Sequence, residues 1–448
     1  MNFRLNSLML ALVALSASLL VNAEAAQQTA VLYENVRVFN GTADKLTPPT
    51  NVLVVGNKIQ TISSNQINPP SGLTITKIAG DGRTLMPGLT DAHTHLYGVG
   101  ITEEQLFTPT PDKPMLERVA LEQAEAMLMR GFTTIRDMAG PVFKAKAAID
   151  SGKAIGPRIY PSGTLISQTS GHGDFDSEPE ALPRSLGGPM TTTESIHFST
   201  IVDGRPQVLS AARYNLRNGA SQIKIATSGG GASPNDPLYV DEFTFDEIKA
   251  AVEATNDFGT YVAAHSYTPK SVRRSIDAGV TVIEHGQLLD EATVKYMAKK
   301  GIWLSTQVLD EAGPQFPEFI RAKKHQIILG QNKVWKWAVK HKVKLAWGTD
   351  LVFELDNMHF QNTELVAMKN FMPPAQALRI ATHDNAQLFA LSGRRNPYPG
   401  KLGVVEEGAY ADLLLVDGDP TQNLDIIADP KKNFRIIMKD GKIYKNTL

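Results

Sequence analysis

Two histidines stand one residue apart at the end of an apolar run, in the stretch "LMPGLTDAHTHL" over residues 85–96. Side chains alternate between the two faces of a strand, so His93 and His95 would project from the same face. Two imidazoles placed side by side are suited to binding one metal ion. The alternative is a pair of polar residues at a strand end, and the HxH spacing alone leaves both interpretations open.

Other residues of ligand type lie in apolar segments far along the chain. Lys224 lies in "QIKIATSG" and His265 lies in "YVAAHSY". His285 lies in "TVIEHG", and Asp350 ends "KLAWGTD". Any one of these residues alone could be an ordinary hydrogen-bonded packing residue near a strand end. The set is informative only if the fold brings these positions together with the histidine pair.

The segment 87–398 alternates short apolar strands with stretches of helical period, such as "MLERVALEQAEAMLMRG" and "FDEIKAAVEATNDFG". Its eight strand candidates are "GLTDAHTHL", "FTTIRDMAG", "RIYPSGT", "QIKIATSG", "YVAAHSY", "TVIEHG", "IWLSTQ" and "KLAWGTD". This alternation predicts an α/β chain with a (β/α)8 TIM barrel, in which the carboxyl ends of the strands converge on the active site. A doubly wound open sheet is the alternative, but we find no GxGxxG or Walker-type loop to favour a nucleotide-binding fold.

Both chain ends have a different pattern from the middle. Residues 27–86 and 399–448 contain short alternating strands separated by turn signals such as "NG" and "GDG". We expect these two parts to form one small β-sandwich beside the barrel.

Residues 1–26 have the pattern of a secretory signal peptide. Arg4 gives a positive start, and small residues in "VNAEAA" follow the apolar run 8–20. That run is shorter than the roughly 20 residues that span a bilayer, although a membrane anchor or a buried helix is the alternative. We therefore expect an exported, soluble protein, periplasmic or secreted, with no stable membrane insertion after the signal is removed.

The composition excludes several kinds of chemistry. The chain has no cysteine, which excludes disulfides, a thiolate nucleophile and cysteine metal ligands. A formal net charge of −1 provides no basic field, so nucleic acid is not an expected partner. Any metal must be held by histidine, carboxylate or a modified lysine.

The six candidates suggest a binuclear site. Four imidazoles and one carboxylate suit zinc or a similar divalent ion, and six ligands suggest two ions about 3.5–4 Å apart. An ammonium at Lys224 would repel them, whereas a lysine carboxylated by CO2 would bridge them. A buried salt bridge or a phosphate-binding role for Lys224 remains open on spacing alone.

The motifs "MPGLTDAHTHL", "QIKIATSGGGASP", "YVAAHSY", "TVIEHGQLLDEATVKYMAKKGIWL" and "AWGTD" resemble the amidohydrolase superfamily. More narrowly, they are similar to its imidazolonepropionase-like branch with Xaa-Pro dipeptidases, related carboxypeptidases and ochratoxinase. The resemblance covers nearly the whole chain after the signal. It also implies a homo-oligomer. Imidazolonepropionases themselves use one metal and lack the lysine, so Lys224 argues against that activity.

The resemblance implies a role for each candidate ligand. His93 and His95 would bind the more buried metal, and His265 and His285 the second one. Lys224 would be N6-carboxylated and would bridge the two. Asp350 would bind the first metal and act as general base toward a bridging hydroxide that attacks the amide carbonyl.

Two further residues are candidates for catalysis. Tyr267, two residues after His265, is the first candidate for an oxyanion donor, although it could be a packing aromatic. His172 lies in "TSGHGDFD" after the third strand and resembles the histidine of a "GGHG"-like loop that contacts substrate, with Ser170 in place of the first glycine. The glycine-rich stretch 228–237 is either a loop that approaches a ligand closely or a plain connection.

The expected function is hydrolysis of a small amide: a dipeptide of the Xaa-Pro or carboxypeptidase type, or an N-acyl amino acid such as an ochratoxin-like aryl amide. The first alternative is a hydrolase of cyclic amides, lactones or other esters on the same metals. The second is a non-catalytic binding protein, which the complete ligand set argues against.

Overall fold

The computed structural model describes residues 29–101, 112–175, 181–314, 316–352 and 359–448. The predicted signal peptide therefore lies outside the described residues. Strands from both chain ends form one eight-stranded sheet in the order β18-β17-β16-β5-β1-β2-β3, with β4 beside β1. Their bounds are β1 Thr29–Val38, β2 Thr50–Val55, β3 Lys58–Ser63, β4 Thr74–Ala79, β5 Thr84–Pro87, β16 Leu413–Val416, β17 Phe434–Lys439 and β18 Lys442–Asn446.

Hydrophobic packing explains why the two chain ends fold together. Strand β1 pairs with β2 and β4 over its first part and with β5 at Arg37 and Val38. Strand β16 then pairs with β5, which joins the C-terminal strands to the N-terminal ones. One buried cluster contains Tyr33 and Val52 from the first part and Leu415 from the last. The two ends thus share a sheet and a core.

The middle of the chain forms two parallel sheets. A three-stranded sheet has the order β6-β7-β8, and a seven-stranded sheet has the order β10-β9-β11-β12-β13-β14-β15. Their bounds are β6 Leu89–Thr94, β7 Phe132–Asp137, β8 Arg158–Pro161, β9 Leu165–Ser167, β10 Ser199–Ile201, β11 Ile223–Ala226, β12 Val262–Ser266, β13 Val282–His285, β14 Trp303–Thr306 and β15 Lys344–Trp347. Each of the eight predicted strands is present, and every one but β15 is buried along its whole length.

Two short strands, β9 and β10, are not predicted by the sequence. Strand β8 pairs with β7, and β9, only three residues further along, pairs with β11. One backbone hydrogen bond joins each edge of the three-stranded sheet to the seven-stranded sheet. Ser221 N, just before β11, donates to Pro161 O at 2.8 Å, and Asp350 N, after β15, donates to His93 O at 2.8 Å. Among the described residues the strands therefore follow one another as parallel neighbours, without a continuous hydrogen-bonded ladder around a closed barrel.

Helices follow the strands with the capping residues that the sequence offers. Thr244 and Glu247 form a capping box at the start of one helix, and Gly259 ends it with a φ of 70°. The helices are α1 Lys113–Met129, α2 Phe143–Asp150, α3 Thr192–Ser195, α4 Arg205–Arg217, α5 Phe245–Phe258, α6 Pro269–Ala278, α7 Glu291–Lys300, α8 Glu318–Lys340, α9 Gln361–Ala367, α10 Pro374–Arg379, α11 Asn385–Ala390 and α12 Pro430–Asn433. Within the described part of the chain, we find no helix with the length and apolar character of a membrane span.

Candidate metal centre

Four of the predicted ligands converge, three of them at or just beyond the carboxyl ends of their strands and Lys224 within its strand. His93 Nε2 lies 3.3 Å from Lys224 Nζ and 3.3 Å from Asp350 Oδ1. His95 Nε2 lies 2.9 Å from the same carboxylate oxygen. These side chains come from β6 and the residue after it, from β11 and from the residues after β15, so their approach follows from the parallel arrangement of the strands.

The other two predicted ligands lie beside the first four. The rings of His265 and His285 are 4.3 Å apart between centroids. His285 also lies beside His93, with ring centroids 5.0 Å apart, and its Nδ1 is 3.8 Å from Asp350 Oδ2. The structure thus brings all six candidates from distant sequence positions into one site.

Buried partners fix the orientation of three imidazoles. His93 Nδ1 is 2.8 Å from Glu284 Oε2, and His285 Nδ1 is 3.0 Å from Gln307 Oε1. In both rings an Nδ1–H donor to these oxygens leaves Nε2 free for a ligand. His265 has the opposite arrangement, with Nε2 3.4 Å from Gly229 O, which leaves Nδ1.

A fully buried ion pair supports the orientation of His93. Arg136 donates from one terminal nitrogen to Glu284 Oε1 at 2.6 Å, and neither side chain is exposed. Arg136 also donates to Ala92 O at 2.6 Å and to Tyr261 Oη at 3.1 Å. The guanidinium and the hydrogen bond from His93 hold the pKa of Glu284 below its usual range, although burial alone would raise it. Glu284 is therefore an anion directed at His93.

The backbone at two candidate ligands adopts a conformation that side-chain-bearing residues rarely take. His285 has a φ of 74° and Asp350 has a φ of 58°. Such left-handed residues other than glycine cost of order 1–3 kcal/mol each and cluster at functional sites. Both residues lie in the shared site, with His285 Nδ1 3.8 Å from Asp350 Oδ2.

The protonation states suit metal binding. Burial lowers the pKa of His93 to about 4, with Lys224 adding to the effect, and burial also lowers the pKa values of His265 and His285. Three surrounding imidazoles lower the pKa of Asp350 well below its usual range, against the opposing effect of desolvation. Burial lowers the pKa of Lys224 to about 8. Neutral imidazoles and an ionised carboxylate are the forms that coordinate metals.

The donor set fits a divalent metal. Among the described residues, His93, His95 and Asp350 each offer one ligand atom, and the three atoms lie within 4.8 Å of one another. Two imidazole nitrogens with a carboxylate oxygen are a usual zinc environment. Lys224 Nζ points at the same place, where an ammonium would oppose the metal and an anionic derivative would bind it.

The predicted catalytic residues border a cavity of about 210 Å³ beside this cluster. Its lining includes His95 and Asp350 together with His172, His265 and Tyr267. The Tyr267 ring stacks on His285 with centroids 5.2 Å apart, and its hydroxyl has no hydrogen-bond partner among the described residues. The hydroxyl is thus available to a bound substrate.

His172 lies where the sequence places it, on the loop after β9. Its ring stacks on His265 with centroids 4.0 Å apart. The departure from the "GGHG" pattern is accommodated, because Ser170 adopts a φ of 58° and donates its N–H to Asp174 at 2.8 Å. Serine thus takes the left-handed conformation that a glycine adopts more readily.

The sequence does not predict which other residues line the cavity. Most of the remaining lining side chains are apolar: Leu165, Phe175, Phe198, Leu309, Phe316, Ile320, Ile327, Leu351 and Val352. Lys324 on α8 and Glu364 on α9 add two charged groups. These residues come from loops and helices whose contacts depend on the tertiary fold. The residues behind the ligands, Glu284 and Gln307, are missed for the same reason, although a charge inside the apolar stretch "VIEH" is a signal that could have revealed Glu284.

Comparison with known proteins agrees with the motifs. Ochratoxinase from Aspergillus niger is 29% identical over 405 residues, which cover 88% of this chain and 82% of that enzyme. A prolidase crystallised with N-methylphosphonate-L-proline is 30% identical, with a TM-score of 0.84 over 94% of this chain and 100% of the prolidase. A Xaa-Pro dipeptidase crystallised with methionine in its active site is 27% identical, with a TM-score of 0.77 over 93% of this chain and 100% of that chain.

The family itself is shown by a match over most of the chain. The sequence profile of the Amidohydrolase family matches residues 84–445, from β5 to β18. The match includes all six candidate ligands, both residues predicted to assist catalysis and the C-terminal strands of the shared sheet. The resemblance seen in the motifs is thereby confirmed, and the chain belongs to the amidohydrolase family.

Proposed function

We propose that this chain is a binuclear metal-dependent amidohydrolase that cleaves the amide bond of dipeptides or N-acyl amino acids. The observation that carries the proposal is the convergence of six ligand-type side chains beside one cavity. His93, His95 and Asp350 would hold one ion and His265 and His285 the other, with an N6-carboxylated Lys224 between them. Zinc ions so placed would acidify a water and polarise the scissile carbonyl.

The proposed domain arrangement follows the same interpretation. Residues 87–398 would form a (β/α)8 barrel closed between β15 and β6, as the hydrogen bond from Asp350 N to His93 O favours. Residues 27–86 and 399–448 would form the β-sandwich, and residues 1–26 the signal peptide of an exported enzyme. Assembly into a homo-oligomer stays a prediction.

The chain's own residues have defined parts in the proposed reaction. Asp350 would accept a proton from the attacking water and pass it to the leaving nitrogen. Its lowered pKa keeps the carboxylate ionised, so it can take up a proton, and it lies at the cavity wall. Tyr267 would donate its hydroxyl to the oxyanion, since burial keeps its pKa well above the usual range and so keeps the proton in place. His172 borders the same cavity from the loop after β9.

The named relatives and the cavity support an amino acid as the leaving group. Ochratoxinase, prolidase and Xaa-Pro dipeptidase are among the proteins similar to this chain. Lys324 is the one lysine or arginine among the described residues that line the cavity. Its ammonium is suited to the free carboxylate of a leaving amino acid, and the apolar walls are suited to a proline or aromatic side chain.

A substrate panel tests the proposed function. The purified, zinc-loaded protein is incubated with dipeptides and N-acyl amino acids, and with lactones and hydantoin-like rings in parallel. We expect liberated amino acid from the first group. Turnover confined to the rings or esters would favour the cyclic amide or lactone hydrolase instead, and tight binding without turnover of any compound would favour a binding protein.

Tyr267→Phe tests the oxyanion role. The substitution removes one hydroxyl and almost no volume, so the loss should fall on kcat, by about 10²–10³-fold. Metal content and thermal stability should stay at the wild-type level. A kcat within about threefold of wild type would assign the oxyanion to the metal or to His172, and a raised KM with unchanged kcat would indicate substrate binding only.

Lys324→Met tests carboxylate recognition. The variant keeps the aliphatic stem and loses the charge, so KM for a free-carboxylate substrate should rise by about tenfold or more, since a hydrogen bond to a charged group contributes roughly 1.5–3 kcal/mol. The matched carboxamide substrate should show little difference between the two proteins. Lys333→Met, an exposed position on the same helix, is the control. Equal effects on the acid and the amide would refute the assignment.

A further inference from the structure

The glycine-rich segment 228–242 is held in a fixed loop. Ser228 and Asp241 form an isolated β-bridge, and Gly229 N donates to Val240 O at 3.1 Å, so the two ends of the segment meet. The backbone of Gly230 closely approaches the His172 side chain. A Cβ added at Gly230 would lie 2.0 Å from His172 Nδ1, which no other residue type could accommodate without a shift.

Two buried side chains of this loop continue from the His172 ring. His172 Nδ1 lies 2.7 Å from Ser233 Oγ, and Ser233 Oγ donates to Asp236 Oδ2 at 2.6 Å. Ser233 and Asp236 are completely buried. The serine hydroxyl has one proton and directs it to the carboxylate, so its oxygen must accept from His172. Nδ1 therefore carries a proton, and Nε2 has no partner among the described residues.

Lys323 of α8 donates hydrogen bonds to three backbone carbonyls of the loop. Its ammonium donates to Gly230 O at 3.0 Å, Ser233 O at 2.7 Å and Asp236 O at 2.8 Å, and it lies 3.4 Å from Asp236 Oδ1. Asp236 Oδ2 also accepts from Gly230 N at 2.6 Å. Both oxygens of the Asp236 carboxylate thus have partners inside the protein, and the side chain is completely buried, which fits a structural anion.

The His172 backbone is anchored separately. Its N–H donates to Glu242 Oε1 at 2.8 Å, and Glu242 is completely buried. The backbone contact fixes where the residue lies, and the contact to Ser233 fixes how the ring is rotated and which nitrogen is protonated. Only the contact to Ser233 determines which ring nitrogen of His172 faces the cavity and whether it carries a proton.

We propose that Ser233 and Asp236 are positioning residues that hold the His172 imidazole in one orientation, with Nδ1 protonated and Nε2 presented to the substrate cavity. Lys323 keeps the loop that carries them in place. The kinetic test of this assignment rests on the proposed function, because it measures turnover. The orientation and tautomer of the ring do not depend on substrate and can be tested separately.

A double-mutant cycle separates positioning from general support of the fold. Ser233→Ala should lower kcat/KM by about fivefold to tenfold, the size of one lost hydrogen bond. In a His172→Ala background the same substitution should have no further effect, since residues that act through one another are not additive. Ser275→Ala is the matched control, because Ser275 is equally buried and bonds Thr227 and Ser271 instead. Multiplicative losses, or a Ser233→Ala protein within twofold of wild type, would overturn the proposal.

Nitrogen NMR of ¹⁵N-histidine-labelled protein gives a readout independent of activity. The His172 signals are identified by their loss in His172→Ala. We expect Nδ1 protonated and Nε2 unprotonated in the neutral wild-type ring, and a mixture of tautomers in Ser233→Ala and in Asp236→Asn. A wild-type ring protonated on Nε2 alone would overturn the proposal whether or not the protein hydrolyses any amide, so its failure is distinct from that of the proposed function.

Discussion

Asp350→Asn should give a folded, metal-binding protein that turns over about 10²–10⁴-fold more slowly than the wild type. Asparagine keeps the shape and one oxygen, so it can still face His93 and His95, but it cannot accept the proton of the attacking water. The loss should appear in kcat and kcat/KM alike, because the missing interaction is made in the transition state. Steady-state kinetics on the best substrate of the panel provide the measurement.

The Asp350→Asn experiment needs metal analysis beside the kinetics. Asp350 Oδ1 lies 2.9 Å from His95 Nε2 in the candidate site, so the variant is assayed with excess zinc and its bound metal is measured. A rate close to wild type in the metal-replete variant would contradict the acid–base role. A protein without metal would instead show that Asp350 acts mainly as a ligand.

Lys224→Ala should abolish measurable activity and reduce bound metal from about two ions per chain to about one. A carboxylated lysine supplies two oxygens between two cations, and alanine supplies none, so the second ion loses its bridge. Short carboxylic acids such as formate or acetate should restore part of the activity, because they can occupy the vacated position. Elemental analysis and rescue assays check both expectations.

A second buried lysine provides the control for Lys224→Ala. Lys439 of β17, in the sheet formed by the two chain ends, is buried and donates to Gly156 O at 2.9 Å. Lys439→Ala should lose stability without changing the metal content. Unchanged metal content in Lys224→Ala would argue for the salt-bridge interpretation of this lysine.

Strand and helix positions could be predicted because each carries a local signal. The parallel strands are short, apolar and buried, and the helices begin and end at capping residues such as Thr244 and Gly259. The division of the third strand into β8 and β9 could not be predicted. Gly163 between them has a φ of 76°, and a Cβ there would lie 2.6 Å from Asn215 Oδ1, a contact between positions that are distant in sequence.

In the candidate site, too, some residues could be predicted from the sequence and others could not. The ligand types at strand ends predict which residues meet, because the carboxyl ends of parallel strands lie together. The partners that orient them, such as Glu284 behind His93 and Gln307 behind His285, are set by packing across the site. Ser233 and Lys323 are also brought together by tertiary packing, since Ser233 lies on a loop and Lys323 lies on α8. Such partners have no fixed spacing to read in the sequence.

Zinc titration of the metal-free protein tests the central claim most directly. The protein is stripped with a chelator, zinc is added in measured equivalents, and amino acid released from the best dipeptide or N-acyl amino acid is followed. The binuclear site predicts no release without metal and full activity at about two equivalents per chain. Full activity in the stripped protein, or a plateau at one tightly bound ion, would contradict the account.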